Sequence, residues 1–447
     1  MASQASLLLQ KQLKDLCKHP VDGFSAGLVD DKNIFEWSVT IIGPPDTLYE
    51  GGFFNAIMTF PQNYPNSPPT VRFTSDMWHP NVYSDGRVCI SILHPPGDDP
   101  SGYELASERW TPVHTLPPQM NLARSQLQCY GEIVYSFDGH DLLGECSRRD
   151  KPIERLKSVV TWYISTLRPL IFGLAPYNPV IGETHHVSNG HINVLVEQIS
   201  HHPPVSALHA THEKENVDVL FCQYFTPKFR GAYVEVEVKG RRVVKLLNHK
   251  ETYEMNQPKL LMAFLPAMGA HWAGKIVIKC PETGLAAELQ LLADSFLSRF
   301  TGNNKRAIKG KIFESSSRKQ LYDIFGHWDR TVTAKNTKTG QLEVIYKASE
   351  NIAKLKTPIV KNLQEVSESE SAVVWGEVSE GIMTNDWEKA REAKRDVEEK
   401  QRESLRKREA SGQSWIPKHF SVARAGKDWD CVPLQPTVPQ APIVIPL

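Results

Sequence analysis

Glu197-Gln198-Ile199-Ser200-His201-His202-Pro203-Pro204 is the stretch around which the 447-residue chain is organised. Each proline fixes its own φ and drives the preceding residue toward an extended conformation. His202 is therefore expected to be extended, with His201 and His202 on opposite faces. On spacing alone two readings stay open. The pair is either the end of a strand with both imidazoles satisfied, or a rigid place beside Ser200 to hold an anion or a polar headgroup.

Working outward, strand-like runs recur through the stretch and after it: Ile192–Gln198, Val217–Phe225, Ala232–Val238, Val243–Leu247, Lys259–Phe264, Lys275–Ile278, Ala287–Leu292, Lys311–Phe313, Arg330–Val332 and Leu342–Tyr346. So many sequential strands predict one large sheet, curled into a barrel able to enclose an apolar ligand. Upstream, Pro152–Leu170 reads as a helix, with Pro152 in its first turn and Pro169 ending it. Ser125-Gln126-Leu127-Gln128 reads as the approach to a turn, and Ala175–Glu183 as a loop. Downstream, Trp387–Ala410 predicts a long helix capped by Asn385 and stopped at Gly412. Its apolar stripe is thin: Trp387, Ala390, Ala393, Val397 and Leu405. Lys394, Glu398 and Arg402 are four residues apart and share one face. Beside the histidines, that row would supply two cations and one acceptor.

Composition narrows the function classes. Lys and Arg total 51 and Asp and Glu total 51, so there is no overall basic field to favour nucleic acid. Hydrophobic residues at 40% and charged residues at 23% suit a soluble globular protein of two or three domains. The seven cysteines are scattered, without a Cys-x-x-Cys pair. That pattern argues against a disulfide framework or a zinc site, suggests a reducing cytosol, and calls for no metal or cofactor. No apolar run reaches the roughly 18 to 20 residues that span a bilayer.

The N-terminal quarter has a different character. Leu7, Leu8, Leu13 and Leu16 form the stripe of a leading amphipathic helix. Runs at Phe35–Ile42, Phe53–Phe60 and Thr70–Thr74, separated by Gly/Pro turns, predict a meander. His79-Pro80-Asn81 and Cys89 follow, then Trp110-x-Pro112. From about Ala2 to Thr115 these motifs resemble the ubiquitin-conjugating enzymes, and the insertion Pro95–Arg109 resembles the acidic loop of a plant branch. The resemblance implies that Cys89 carries ubiquitin as a thioester and that Asn81 stabilises the oxyanion. The family's long covering helix should follow Pro112, but Pro117 and Pro118 stand there instead. Residues 1–115 are thus expected to be a truncated conjugating domain, weakly active or inactive.

From Leu116 to Leu447 the chain resembles the oxysterol-binding-protein-related lipid-binding domains, in particular short plant members. The resemblance rests on Glu197–Pro204, Asn178-Pro179-x-x-Gly182-Glu183, Gly326-His327-Trp328, Glu398–Arg402 and Trp415. It implies an α+β chain: a truncated α/β sheet fragment, then a large incomplete antiparallel β-barrel with an apolar tunnel and flanking helices. It also implies a sterol or other lipid in the tunnel, competing with phosphatidylinositol 4-phosphate. His201, His202, Lys394 and Arg402 would hold the phosphate, Glu398 an inositol hydroxyl or the cations, and Tyr177 and Asn178 the mouth. Membrane surfaces become partners, served peripherally from the cytoplasm, at the endoplasmic reticulum or elsewhere. Ubiquitin and its activating enzyme become partners if Cys89 works.

Three departures qualify this. Ala175 stands where many relatives have a lysine, Leu170 where sterol binders have a glutamine, and the lid segment expected before Leu116 is replaced by the conjugating fragment. The seam at Thr115/Leu116 has no Gly/Ser-rich linker. Lipid transfer, ubiquitin conjugation and a non-functional fusion of the two are the resulting alternatives.

Overall fold

The computed structural model describes the chain except residues 1–2, 19–23, 44–48, 50, 78–80, 91–92, 96–108, 111–122, 136–140, 171–175, 230–232, 264–268, 292–305, 352–355, 385, 426–427 and 447. The expectations for His79, Pro80, most of the acidic insertion, the Thr115/Leu116 seam, Ala175 and Asn385 fall outside the described residues. Contacts divide the chain into two compact units, one drawn mainly from Met1–Pro118 and the other from the residues after it. No helix among the described residues is long and apolar enough to cross a membrane.

In the first unit α1 (Gln4–Lys18) precedes an antiparallel meander of β1 (Phe24–Leu28), β2 (Glu36–Ile42), β3 (Phe53–Thr59) and β4 (Thr70–Phe73). Pairing aligns Leu28, Trp37, Met58 and Val71 in one row and Ala26, Val39, Ala56 and Phe73 in the next. These rows make the apolar face. Ala5, Leu8 and Leu9 of α1 are buried in the same cluster, and Leu13 and Leu16 pack on it. Leu7, expected in the stripe, is 49% exposed, because the helical period runs through Leu9. The cover thins toward β4, where Val71 and Phe73 remain half-buried. Each such side chain forgoes on the order of 1 kcal/mol of burial.

The second unit opens with α2 (Gln126–Tyr135), α3 (Leu142–Arg148) and α4 (Pro152–Ser165). Ser125–Gln128, expected to lead into a turn, is instead the start of α2. Gln128 Oε1 accepts from Ser125 N at 2.7 Å, and Ser125 Oγ receives Leu127 N at 3.4 Å, which is a capping box. α4 stops at Ser165, before Pro169, where Ser165 and Thr166 hydroxyls bond back to the Trp162 and Tyr163 carbonyls at 2.7 Å.

Fourteen strands follow: β5 (Thr184–Asn189), β6 (Ile192–His201), β7 (Pro204–His212), β8 (Val217–Phe229), β9 (Tyr233–Lys239), β10 (Arg242–Leu246), β11 (Glu251–Met255), β12 (Lys259–Ala263), β13 (Gly269–Cys280), β14 (Leu285–Leu291), β15 (Ala307–Glu314), β16 (Gln320–His327), β17 (Thr331–Asn336) and β18 (Leu342–Lys347). After α5 (Ala348–Asn351) come β19 (Ile359–Val360), α6 (Ser371–Val374), α7 (Gly376–Met383), α8 (Trp387–Ala410), a hairpin of β20 (Phe420–Ala425) and β21 (Asp428–Pro433), and β22 (Ile443–Val444).

The large sheet is antiparallel except where β22 joins β5 in parallel, and its path runs from β18 to β19 without those ends pairing. It is therefore a barrel-like sheet that stays open. Residues of α2, α3 and α4 share one core with Val194, Val196, Leu208 and Val219 of the sheet. The opposite face of β6 and β7 carries Ile199, Val205 and Ala207, which pack with Phe420 and Cys431 of the C-terminal hairpin.

Candidate functional site

β6 ends at His201, and His201 pairs with Pro204 of β7, so His202 and Pro203 form the two-residue turn between the strands. Their peptide bond is cis. The imidazoles do not point apart as extended geometry predicts. His202 lies in the turn rather than the strand, and the rings meet edge to face with centroids 4.8 Å apart.

His201 is half-buried and held from two sides. Its Nδ1 lies 3.1 Å from the Pro179 carbonyl, which can only accept, so Nδ1 carries the proton. Its Nε2 then keeps a lone pair and accepts from the Gln401 amide at 2.8 Å. Gln401 belongs to α8, and its Oε1 accepts from Ile181 N at 3.1 Å. Burial and the neighbouring His202 push the His201 pKa below its ordinary value, against the opposing pull of the Pro179 carbonyl.

Two buried carboxylates set this geometry. Glu183 ends the loop and is 1% exposed. It accepts from Ser371 Oγ at 2.7 Å, Trp375 Nε1 at 2.9 Å, Val180 N at 3.0 Å and the Ser125 hydroxyl. Burial raises its pKa against those four donors. Glu197, fully buried in β6, accepts from Lys418 N and His419 N at 2.8 and 2.9 Å. Gly182 donates to the Gln198 carbonyl at 2.9 Å with φ near +76°. A Cβ there would stand 2.5 Å from the Trp415 ring, so glycine is required for both conformation and space.

Tyr177 is buried, stacked on Trp375 at 4.7 Å, with its hydroxyl 3.0 Å from Ser379 Oγ. Asn178 is exposed. The loop reaches the imidazole through the Pro179 carbonyl, and reaches α8 through the Ile181 amide.

α8 is capped by Asp386, whose carboxylate accepts from Lys389 N at 3.1 Å. Ala390 and Ala393 are buried and Val397 packs beside Tyr177 and Trp375, but Leu405 is 40% exposed. The buried stripe thus ends close to Gln401. The helix closes at Gly412, where Gln413 N reaches the Arg408 carbonyl at 2.9 Å in a Schellman arrangement.

The predicted row is self-paired: Lys394 Nζ meets Glu398 at 2.6 Å, and Arg402 meets Glu398 at 3.5 Å and Glu399 at 3.3 Å. Such part-exposed helix pairs contribute about 0.3 to 0.5 kcal/mol each. The structure therefore brings His201 against His202, and Lys394, Glu398 and Arg402 against one another. Gln401 joins the two sets. It stood in the quoted Glu398–Arg402 motif, but only the phase of the helix reveals that it faces the loop.

In the first unit Cys89 is half-buried and its Sγ lies 3.4 Å from His94 Nε2. Its backbone amide donates to the Asn81 carbonyl at 2.8 Å. Asn81 itself is exposed. His94, five residues past the cysteine, was not marked by the sequence pattern.

Residues 113–433 match the oxysterol-binding protein family, and residues 8–123 match the ubiquitin-conjugating enzyme family. Oxysterol-binding protein-related protein 4C of Arabidopsis thaliana is 94% identical over 332 residues, 74% of this chain and 88% of that relative. Ubiquitin-conjugating enzyme E2 7 of Arabidopsis thaliana is 98% identical over 116 residues, 26% of this chain and 70% of that enzyme. Among solved structures, the Osh1 ORD domain in complex with cholesterol superposes with a TM-score of 0.60 at 20% identity, over 69% of this chain and 79% of that one. The Osh3 ORD in complex with PI(4)P from Saccharomyces cerevisiae gives 0.55 at 22% identity, over 74% and 87%. At these identities the two structures establish likeness of fold.

Proposed function

The chain belongs to the oxysterol-binding protein family and carries ahead of that domain part of a ubiquitin-conjugating enzyme, and from this premise we propose that it exchanges a sterol or another lipid for phosphatidylinositol 4-phosphate between membranes. The neutral lipid and the acyl chains would share the apolar interior of the open barrel. The phosphorylated headgroup would sit at His201 and His202, with Lys394 and Arg402 giving up Glu398 to meet phosphate oxygens. Charge-assisted bonds of this kind outweigh the surface pairs they replace. The protein would work peripherally, from the cytoplasm, on the endoplasmic reticulum or another membrane.

The observation that carries this reading is the Gln401 bridge, a direct bond between α8 and the histidine at the end of β6. Extraction of phosphatidylinositol 4-phosphate from liposomes tests it. The double variant His201→Ala/His202→Ala should extract about tenfold less or worse, the loss expected for one or two charge-assisted bonds. Equal extraction by variant and parent would remove the headgroup assignment.

Cys89 favours a second reading, ubiquitin transfer through a thioester, because an imidazole at 3.4 Å can draw the thiol proton. The half-covered apolar face around Val71 and Phe73 argues for a weak or inactive carrier. Incubation with activating enzyme, ATP and ubiquitin should give little or no reducible adduct. A strong adduct, absent in Cys89→Ser, would instead establish the enzyme.

A further inference from the structure

The bridge between β6 and α8 is fixed by hydrogen-bond parity. A backbone amide can only donate, so the Ile181 N–H orients Gln401 with Oε1 toward the loop and its NH2 toward His201. A carbonyl can only accept, so Pro179 fixes the proton on His201 Nδ1. The chain of bonds closes only when His201 is neutral. A proton on Nε2 would set N–H against NH2. Turning the amide over to cure that would set the NH2 against the Ile181 N–H. Either way one of the two bonds through Gln401 is lost.

A phosphate monoester offers acceptors almost exclusively. To hold one, His201 must present an Nε2–H, and its lone pair must give up Gln401. We propose, resting on the headgroup reading above, that binding of a phosphorylated headgroup takes up a proton on His201 and releases the Gln401 bridge, so that the site is closed and neutral when empty and open and cationic when loaded.

The surroundings suit that exchange. The titratable and charged groups on the elements packed about His201 include Glu197 on β6, His202 in the turn, Glu183 at the end of the loop, and Lys394, Glu398, Glu399, Lys400 and Arg402 on the stretch of α8 around Gln401. Glu183 is committed to its four donors. Glu398 is committed to Lys394 and Arg402. Both ring nitrogens of His201 meet neutral partners, so no carboxylate stabilises the imidazolium in the empty state. Burial and His202 add to this by disfavouring the charged form. An arriving phosphate supplies the missing negative charge, and removes Glu398 from its partners in the same step.

Calorimetric titration with water-soluble dibutanoyl phosphatidylinositol 4-phosphate, at pH 7.4 in two buffers of different ionisation enthalpy, tests the coupling. The wild-type protein should take up about one proton per ligand. Gln401→Glu supplies the decisive comparison. A carboxylate accepts from both the Ile181 N–H and a protonated His201, so the free variant already holds the proton. It should keep its fold, bind more weakly through its added negative charge, and take up close to no proton. Contributions from the ligand's own phosphate are common to both proteins and cancel in the difference. Wild-type binding with the same proton count as Gln401→Glu would overturn the coupling while leaving the headgroup site standing. Absence of wild-type binding would remove the headgroup reading and the coupling together.

Discussion

Cys89 and His201 stand in regions built on different terms. Cys89 lies among turns, half-buried, its thiol against one imidazole and its amide on the exposed Asn81. His201 is the visible end of a buried polar frame. Behind it, Glu183 gathers side chains from the start of α2, from α6 and from the residue that links α6 to α7. Glu197 gathers the backbone that enters the C-terminal hairpin. A buried carboxylate is tolerated only when its donors are supplied. Supplying them from distant parts of the sequence ties the geometry of the site to the folding of the whole unit. Around Cys89 the described bonds span shorter stretches of sequence, from Cys89 N to Asn81, Val88 N to Val71 and Trp110 N to His94.

The sharpest way to break this contrast is to remove the carboxylate. Glu183→Ala would strand Ser371 Oγ, Trp375 Nε1, the Val180 amide and the Ser125 hydroxyl without their acceptor. At roughly 1 to 3 kcal/mol for each buried unpaired donor, and with partial relaxation, a loss of about 3 to 5 kcal/mol is expected in urea unfolding of the second unit. Cys89→Ser should leave the first unit within about 0.5 kcal/mol of the parent. Comparable losses at the two sites would erase the distinction.

The motifs were legible in the sequence, while their working parts were not. Glu197 and Glu183 lay in quoted stretches, yet nothing in spacing tells that each is an acceptor for backbone or side chains as far as 222 positions away. Gly182 and Trp415 both belong to recognisable motifs, and only the fold shows one making room for the other. β5 carries no strand signal in the sequence, because Thr184-His185-His186-Val187 lacks apolar alternation. Its polar residues are buried by partners, as when His185 Nδ1 meets Glu370 at 2.7 Å. α2 is a different case: Ser125-x-x-Gln128 is itself a helix-start signal, which the expectation of a turn after it leaves unused. Long periodic elements such as α8 and the later strands are legible, with strand ends extended by pairing that a single strand cannot display.

A smaller effect sharpens the same contrast through pH. Asp141 caps α3 by accepting from Gly144 N at 2.9 Å, and contacts His212 Nε2 at 2.8 Å and Arg148 at 3.0 Å. Burial would raise its pKa, but these bonds outweigh burial and hold it at about 2. A carboxylate depressed on folding stabilises above its unfolded pKa of about 3.9, and loses that contribution as pH falls through the folded value. The second unit should therefore draw on the order of 2 kcal/mol from Asp141 at neutral pH, and about half of that at pH 3. Asp141→Asn keeps a capping oxygen and removes the charge. It should lower the urea midpoint at pH 7, with the gap to the parent narrowing steadily toward pH 3. In the first unit Asp85 is likewise depressed, through the Arg87 amide and its side chain 2.6 Å away. That pair lies in open solvent, where water and salt screen it. Asp85→Asn should move no midpoint at any pH. A pH-dependent gap at Asp85 as large as that at Asp141 would mean that burial is not what separates the two regions.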